Sequence, residues 1–198
     1  MPAPARILAS SSCYRRQLLD RLGLEYACVS PEVDESVMPG ETPLQVCSRL
    51  ARAKALAVAA LHPEAVVIGS DQVCDLDGAA LGKPGGFERA LAQLKAMQGR
   101  SVVFHTAVCV ARPGGSCEET VSDTRITMRR LPDIALVEYL RREEPYNCAG
   151  SAKIERLGIA LMQSVESDDP TSLIGLPLMR LTSMLARAGV PVLRGLEA

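Results

Sequence analysis

Three serines and two arginines crowd into residues 10–16, where a short apolar run, Ile7-Leu8-Ala9, gives way to an amphipathic segment. Ser10 and Ser12 offer hydroxyls, and Arg15 and Arg16 offer planar guanidinium forks. Such groups, with the free amides of a helix start, suit the oxygens of a phosphate chain. Two lysines also stand out. In the segment 43–61 the apolar stripe runs through Cys47, Leu50, position 54, Ala57 and Leu61, and position 54 is Lys54. A lysine in that phase either lays its stem on the core with its ammonium in water or aims the ammonium into a cleft. Lys83 sits in Gly82-Lys83-Pro84-Gly85-Gly86, where small residues let a ligand approach and the proline stiffens the presentation. Exposed turns of this composition are also common.

The carboxylates are placed to complement these cations. Asp71 follows the unbroken apolar run of 65–70, "AVVIGS", at the expected carboxyl end of a buried strand, where open α/β sheets build their sites. A plain turn aspartate is the other reading, but Gly69-Ser70-Asp71-Gln72 lacks a strong turn pattern and the chain continues apolar at Val73-Cys74. Glu32, Asp34 and Glu35 form an acidic loop that is either a solvated charge run or a source of ligands for a hard cation. Ser10, Ser12, Arg15, Arg16, Lys54, Lys83, Glu35 and Asp71 together make an inventory for a polyphosphate and a Mg2+ ion.

The elements that must hold these residues are legible by period and punctuation. Strands are expected at 6–9, 26–30 and 65–70, and a hairpin at 102–111 and 118–128 across "RPGGS". Helices are expected at 14–22 with Gly23 as the stop, at 43–61, at about 88–97, at 132–143 and at 177–188. The second has the plainest start, with Thr42 as cap, Pro43 at the first position and Gln45 closing a capping box. Asp77-Gly78 reads as a turn, "CAGSAKIERLGIALM" as loop then strand, and "ESDDPTS" as loop. The mixture implies one α/β domain over residues 1–198, with a mixed sheet flanked by helices. Neither Gly-x-Gly-x-x-Gly after the first strand nor Gly-x4-Gly-Lys-Ser/Thr occurs, so the standard nucleotide folds are excluded.

Composition narrows the function classes. With 198 residues, 47% apolar and 23% charged, the chain can bury a sizeable core. A formal net charge of -1 gives no global field for nucleic acid or an anionic membrane, and no apolar run is long enough to span a bilayer. The opening "MPAPARILAS" does not read as a signal peptide. Seven scattered cysteines without a Cys-x-x-Cys, and two histidines away from ligand spacing, argue against zinc or a disulfide framework and for reduced thiols in the cytoplasm. His62 and His105 read as structural.

"LASSSCYRRQLL", "EVDES", "RLARAKA", "IGSDQV", "LGKP", "AGSAKIE" and "LIGLPL" resemble, in order and over nearly the whole chain, the Maf family of nucleotide pyrophosphatases. The resemblance implies an α/β fold with two lobes around a cleft, similar to the inosine triphosphatase fold and often a homodimer. It implies hydrolysis of a nucleoside triphosphate to monophosphate and diphosphate with a divalent cation, and Asp71 as proton acceptor; from the residues themselves the cation, Mg2+ or Mn2+, is expected at Glu35 and Asp71. Tyr14, Gln72 and Glu155 resemble the 7-methyl-GTP branch rather than the commoner dTTP and UTP pattern. Physical chemistry points the same way. Methylation at N7 makes guanine cationic, an aromatic face such as Tyr14 attracts a cationic ring, and Glu155 can accept from guanine N–H groups. Two departures from the family pattern are Cys13, in place of a proline, and Arg156, in place of a glycine, where it could pair with Glu155 or crowd the base pocket. The alternatives are a dTTP/UTP or broad-specificity pyrophosphatase, and a nucleotide-sensing factor in cell division without turnover.

Overall fold

The computed structural model describes residues 4–195. Strand β1 (Arg6–Ala9) lies between β2 (Ala27–Val29) and β3 (Val66–Leu76), parallel to both. Beyond β3 the sheet turns antiparallel through β5 (Ser101–Ala111), β6 (Cys117–Met128) and β7 (Met162–Ser167), giving the order β2-β1-β3-β5-β6-β7. A short β4 (Ala79–Leu81) folds back on the end of β3. Asp77 and Gly78 make the reversal with φ of 52° and 84°, the pair of positive values a two-residue hairpin needs. The Asp75 carboxylate steadies it by accepting from the Gly78 amide at 2.6 Å.

Two expectations change here. The strand read as 65–70 runs on to Leu76, so Asp71 lies inside β3 rather than past its end. The reason is tertiary: β1 stops opposite Gly69, but β5 continues to pair with β3 as far as Asp75 and holds the polar residues extended. Strand β4, three residues long, carries no sequence period of its own and was not foreseen. Residues 70–73 are therefore left without a strand partner on the β1/β4 side, and the sheet opens there. Segment 148–162 also differs in detail. It contains two short 3-10 turns, Ala149–Ser151 and Leu157–Leu161, and β7 begins at Met162 and takes in Glu166 and Ser167, both expected in loop.

The remaining helices form close to where their signals place them. Helix α2 (Pro43–Leu61) has both halves of its Thr42–Gln45 capping box, and Ser12 caps α1 (Cys13–Asp20) by accepting from the Arg15 amide. One face of β3 carries two separate clusters. Val66 and Ile68 pack with Leu18 and Leu19 of α1 and with Leu181, Met184 and Leu185 of α5 (Leu178–Arg187). Cys74 and Leu76 pack with Leu94 and Met97 of α3 (Phe87–Met97) and Leu136 and Leu140 of α4 (Asp133–Glu143). Ser70 and Gln72 fall between the clusters, which makes two lobes with a cleft at the break in the sheet.

Helix α2 covers the opposite face. Gly69 sets how closely it lies, because a Cβ there would meet the Ala51 carbonyl at 2.4 Å and the Ala55 amide nitrogen at 2.5 Å. Close seating at Gly69 brings Lys54, in the same turn of helix as Ala51 and Ala55, against Asp71. No helix of the described residues is long and apolar enough to cross a membrane.

Candidate active site

The cleft encloses about 580 Å³ and is lined by the Ser10–Arg15 turn, Glu35, Lys54, Asp71, Gln72, Lys83 and Glu155, among others. Its floor is the Lys54 ammonium, which sits 2.6 Å from Asp71 Oδ1 and 2.6 Å from Glu35 Oε1. The Lys54 side chain is 6% exposed and that of Asp71 12%, while Glu35, on the 30–42 loop, remains 51% exposed. Of the two readings of Lys54, the ammonium in the cleft is the one observed. Burial raises the Glu35 pKa, but the hydrogen bond and charge of Lys54, with Lys83 and Arg15, outweigh it and hold the carboxyl below the usual range. Three cations thus act on one carboxylate, and Lys83, distant in sequence, joins the same field.

Arg15 is aimed by a contact outside its own helix. Its Nε donates to the Gly175 carbonyl at 2.9 Å, and its Nη2 lies 4.0 Å from Asp71 Oδ1. Ser70 Oγ donates to the same carbonyl at 3.0 Å, so "LIGLPL" works as a brace for the cleft, a role its sequence did not announce. Ser10 Oγ accepts from the Ser12 amide at 3.1 Å, which rolls the serine turn against the cleft wall. Cys13 is exposed at the start of α1, and the Ser12 cap closes that turn without a proline. Behind Asp71, the buried Cys47 thiol lies between the Asp71 and His105 carbonyls, at 3.2 and 3.1 Å, and shares its one hydrogen with them. Burial, and then the Asp71 charge, pushes that thiol up to about 12.

Tyr14 and Glu155 both line the cleft, near Cys148. Burial first, then Cys148 and the Glu155 charge, push the Tyr14 phenol well above its ordinary value, so it stays protonated. Gln72 is partly committed elsewhere. Its amide nitrogen faces Thr106 Oγ1 at 3.0 Å and the carbonyls of Ser172 and Leu173 at 2.9 and 3.1 Å, so what it can offer a base is its carbonyl oxygen.

Some expected residues stand outside. Arg16 is exposed on α1 and does not line the cleft, because each step along the helix turns the side chain further round and Arg16 is carried past the cleft edge. Glu32 and Asp34 are exposed, and Asp34 accepts from the Ser36 amide at 2.9 Å within its own loop. Arg156 does not line the cleft and lies 3.4 Å from Glu143 on α4, so it neither pairs with Glu155 nor fills the pocket. His105, held between Asp123 at 2.7 Å and Asp75 at 3.3 Å, and His62, at the C-terminus of α2, are structural. Lys153, whose ammonium lies 5.9 Å from the Tyr14 ring centroid, is a neighbour of the site that no residue pattern of its own points to. The only signal for it was its place in "AGSAKIE".

Glu35 and Asp71 converge on one cation and so form a two-carboxylate donor set. No cluster of three or more metal-ligating side chains exists among the described residues. Two carboxylates nonetheless suit Mg2+, which takes one or two from protein and the rest of its shell from phosphates and water.

The family model described as "Maf-like protein" matches residues 6–188. A protein named 7-methyl-GTP pyrophosphatase from Bordetella pertussis is 56% identical over 197 residues, covering 98% of each chain. One of the same name from Cupriavidus metallidurans is 55% identical over 190 residues, covering 95% of each. A solved structure of a nucleoside-triphosphatase / dITP/XTP pyrophosphatase from Mycobacterium abscessus overlaps 65% of this chain and 76% of that one, at 18% identity and a TM-score of 0.43.

Proposed function

This chain belongs to the Maf-like protein family, and we propose that it hydrolyses 7-methyl-GTP to 7-methyl-GMP and diphosphate in a nucleotide-pool house-cleaning role. One arrangement carries this function above the others: a buried ammonium bracketed by two carboxylates at the floor of a cleft walled by serine hydroxyls and Arg15. Phosphate oxygens entering that cleft compete with Asp71 and Glu35 for Lys54. As Lys54 and Arg15 turn to the phosphates, Asp71 is freed to take a proton from water. The water oxygen forms a bond to the α-phosphorus, the bond from that phosphorus to the bridging oxygen breaks, and diphosphate leaves. Ser10, Ser12, Arg15, Lys54 and Lys83 hold the chain in line and offset the charge that develops on the leaving group. A divalent cation, Mg2+ or Mn2+, held by Glu35 with Asp71 and by the substrate's own oxygens, would supply further charge neutralisation there.

At the base end, the cationic 7-methylguanine stacks on Tyr14, a contact worth about 0.5–2 kcal/mol. Glu155 accepts from the N–H groups of the Watson–Crick edge and balances the ring's charge, and the Gln72 carbonyl adds an acceptor. The test is diphosphate release by purified protein with Mg2+ or Mn2+, comparing 7-methyl-GTP, GTP, dTTP, UTP and CTP. Preference for dTTP or UTP would keep the chemistry and overturn the base assignment. Binding of nucleotide without release would favour a sensing role.

A further inference from the structure

Lys153 and Glu143 form a charged pair beside Tyr14, outside the cleft lining, that the scheme above does not use. The Lys153 ammonium lies over the Tyr14 ring, 5.9 Å from its centroid, within cation–π range. The same ammonium is 3.8 Å from Glu143 Oε2, with the two side chains 15% and 6% exposed. Glu143 is the last residue of α4, and its Oε2 is buried without a hydrogen-bond partner. A buried carboxylate oxygen in that state is unfavourable unless charge compensates it, and Lys153 and Arg156 are the cations beside it.

The backbone that carries Lys153 is equally fixed. Its amide donates to Tyr139 Oη at 3.0 Å, and Tyr139 donates in turn to the Ser151 carbonyl at 2.9 Å. The Lys153 carbonyl accepts from the amides of Arg156 and Gly158 at 3.2 and 3.0 Å. Gly158 allows that loop, because a Cβ there would come within 2.5 Å of the Lys153 oxygen. Tyr14 lines the cleft but Lys153 does not, so the ammonium reaches the ring without occupying the cleft. Cys148 Sγ, 3.9 Å from Tyr14 Oη, steadies the ring's far end. A buried ion pair adds little stability over an apolar pair of the same volume, so its contribution here is geometric.

We propose that Lys153 is a positioning residue for base recognition: pinned by Glu143, it holds the Tyr14 ring in the plane against which the purine of the substrate stacks. The identity of the base rests on the function proposed above. Lys153→Met, Lys153→Arg and Glu143→Gln would be compared with the parent protein for KM and kcat on 7-methyl-GTP and GTP, for 7-methyl-GMP affinity by calorimetry, and for melting temperature. Lys153→Met should raise KM for both purine nucleotides about fivefold and weaken 7-methyl-GMP equally, with kcat within twofold. Lys153→Arg keeps both contacts and should restore KM to within twofold, while Glu143→Gln falls between. Unchanged KM in Lys153→Met, a loss confined to kcat, or failure of arginine to rescue would each overturn the proposal. Should Lys153→Met not fold, Glu143→Gln must raise KM while Lys153→Arg does not. A parent protein that prefers 7-methyl-GTP but is indifferent to these changes sinks this inference alone; one that prefers pyrimidines sinks the base assignment and this inference together.

Discussion

Replacing Lys54 by methionine removes the one ammonium that both carboxylates hold, at nearly constant volume. Asp71 is left with its side chain 12% exposed and with only Arg15, 4.0 Å away, as a nearby cation. Removing one member of a buried pair costs about 3–5 kcal/mol, because the other charge stays desolvated. The residual Arg15 contact and the return of Glu35 to water put this site at the lower end, about 3 kcal/mol. For a chain of this length that corresponds to a fall in Tm of roughly 6–12 °C. Asp71→Asn alone leaves Lys54 with Glu35 and should cost less, about 1–2 kcal/mol. The double variant should then be more stable than the sum of the singles by about 1 kcal/mol or more. Urea denaturation and thermal melting at neutral pH measure all four proteins. A Lys54→Met variant within about 0.5 kcal/mol of the parent, the scale of an ordinary surface change, or a strictly additive double variant, would refute a desolvated pair.

Three further outcomes follow from the same geometry. Glu35 has its folded pKa depressed, so its contribution to stability is present above the ordinary glutamate pKa of about 4.3 and lost as pH falls below it; the gap in urea midpoint between the parent and Glu35→Gln, measured without metal, should shrink from pH 6 to pH 3.5, and a constant gap would contradict the ion pair. Gly69→Ala drives a methyl into the α2 backbone and should cost about 3 kcal/mol and displace Lys54; unchanged melting would mean that α2 is not seated there. Cys47, Cys74 and Cys109 are buried and pushed up to about 12, so at pH 8 a thiol reagent should label the exposed Cys13 and Cys28 first and leave those three untouched until unfolding.

Where local chemistry decides structure, the sequence was a sufficient guide. The Thr42–Gln45 box and Pro43 are complete in themselves, and α2 starts and ends where they and the apolar stripe require. Lys54 was visible because it broke that stripe; its direction depended on Asp71 and Glu35, which reach it from a strand and a loop. The extension of β3 was hidden because Ser70–Asp75 is held extended by β5 and not by its own residues. For the same reason Asp71 reads as lying past the end of its strand, although its side chain does line the cleft. Arg16 looked equivalent to Arg15 in a phosphate cradle, but helix α1 sends consecutive side chains in different directions. Lys153 and Glu143 give almost no signal, since a lysine in a loop and a glutamate at a helix end are ordinary until folding sets the lysine between the glutamate and the Tyr14 ring.

The central question is whether the cleft turns over nucleotide with Asp71 as the base. The decisive measurement is kcat/KM for diphosphate release from 7-methyl-GTP and from UTP, in the parent and in Asp71→Asn, with folding of both verified by melting. The expected result is a clear preference for 7-methyl-GTP and a loss of at least about 100-fold in kcat for the folded asparagine variant, the scale of general-base catalysis. Full turnover in folded Asp71→Asn, with its metal dependence unchanged, would contradict it.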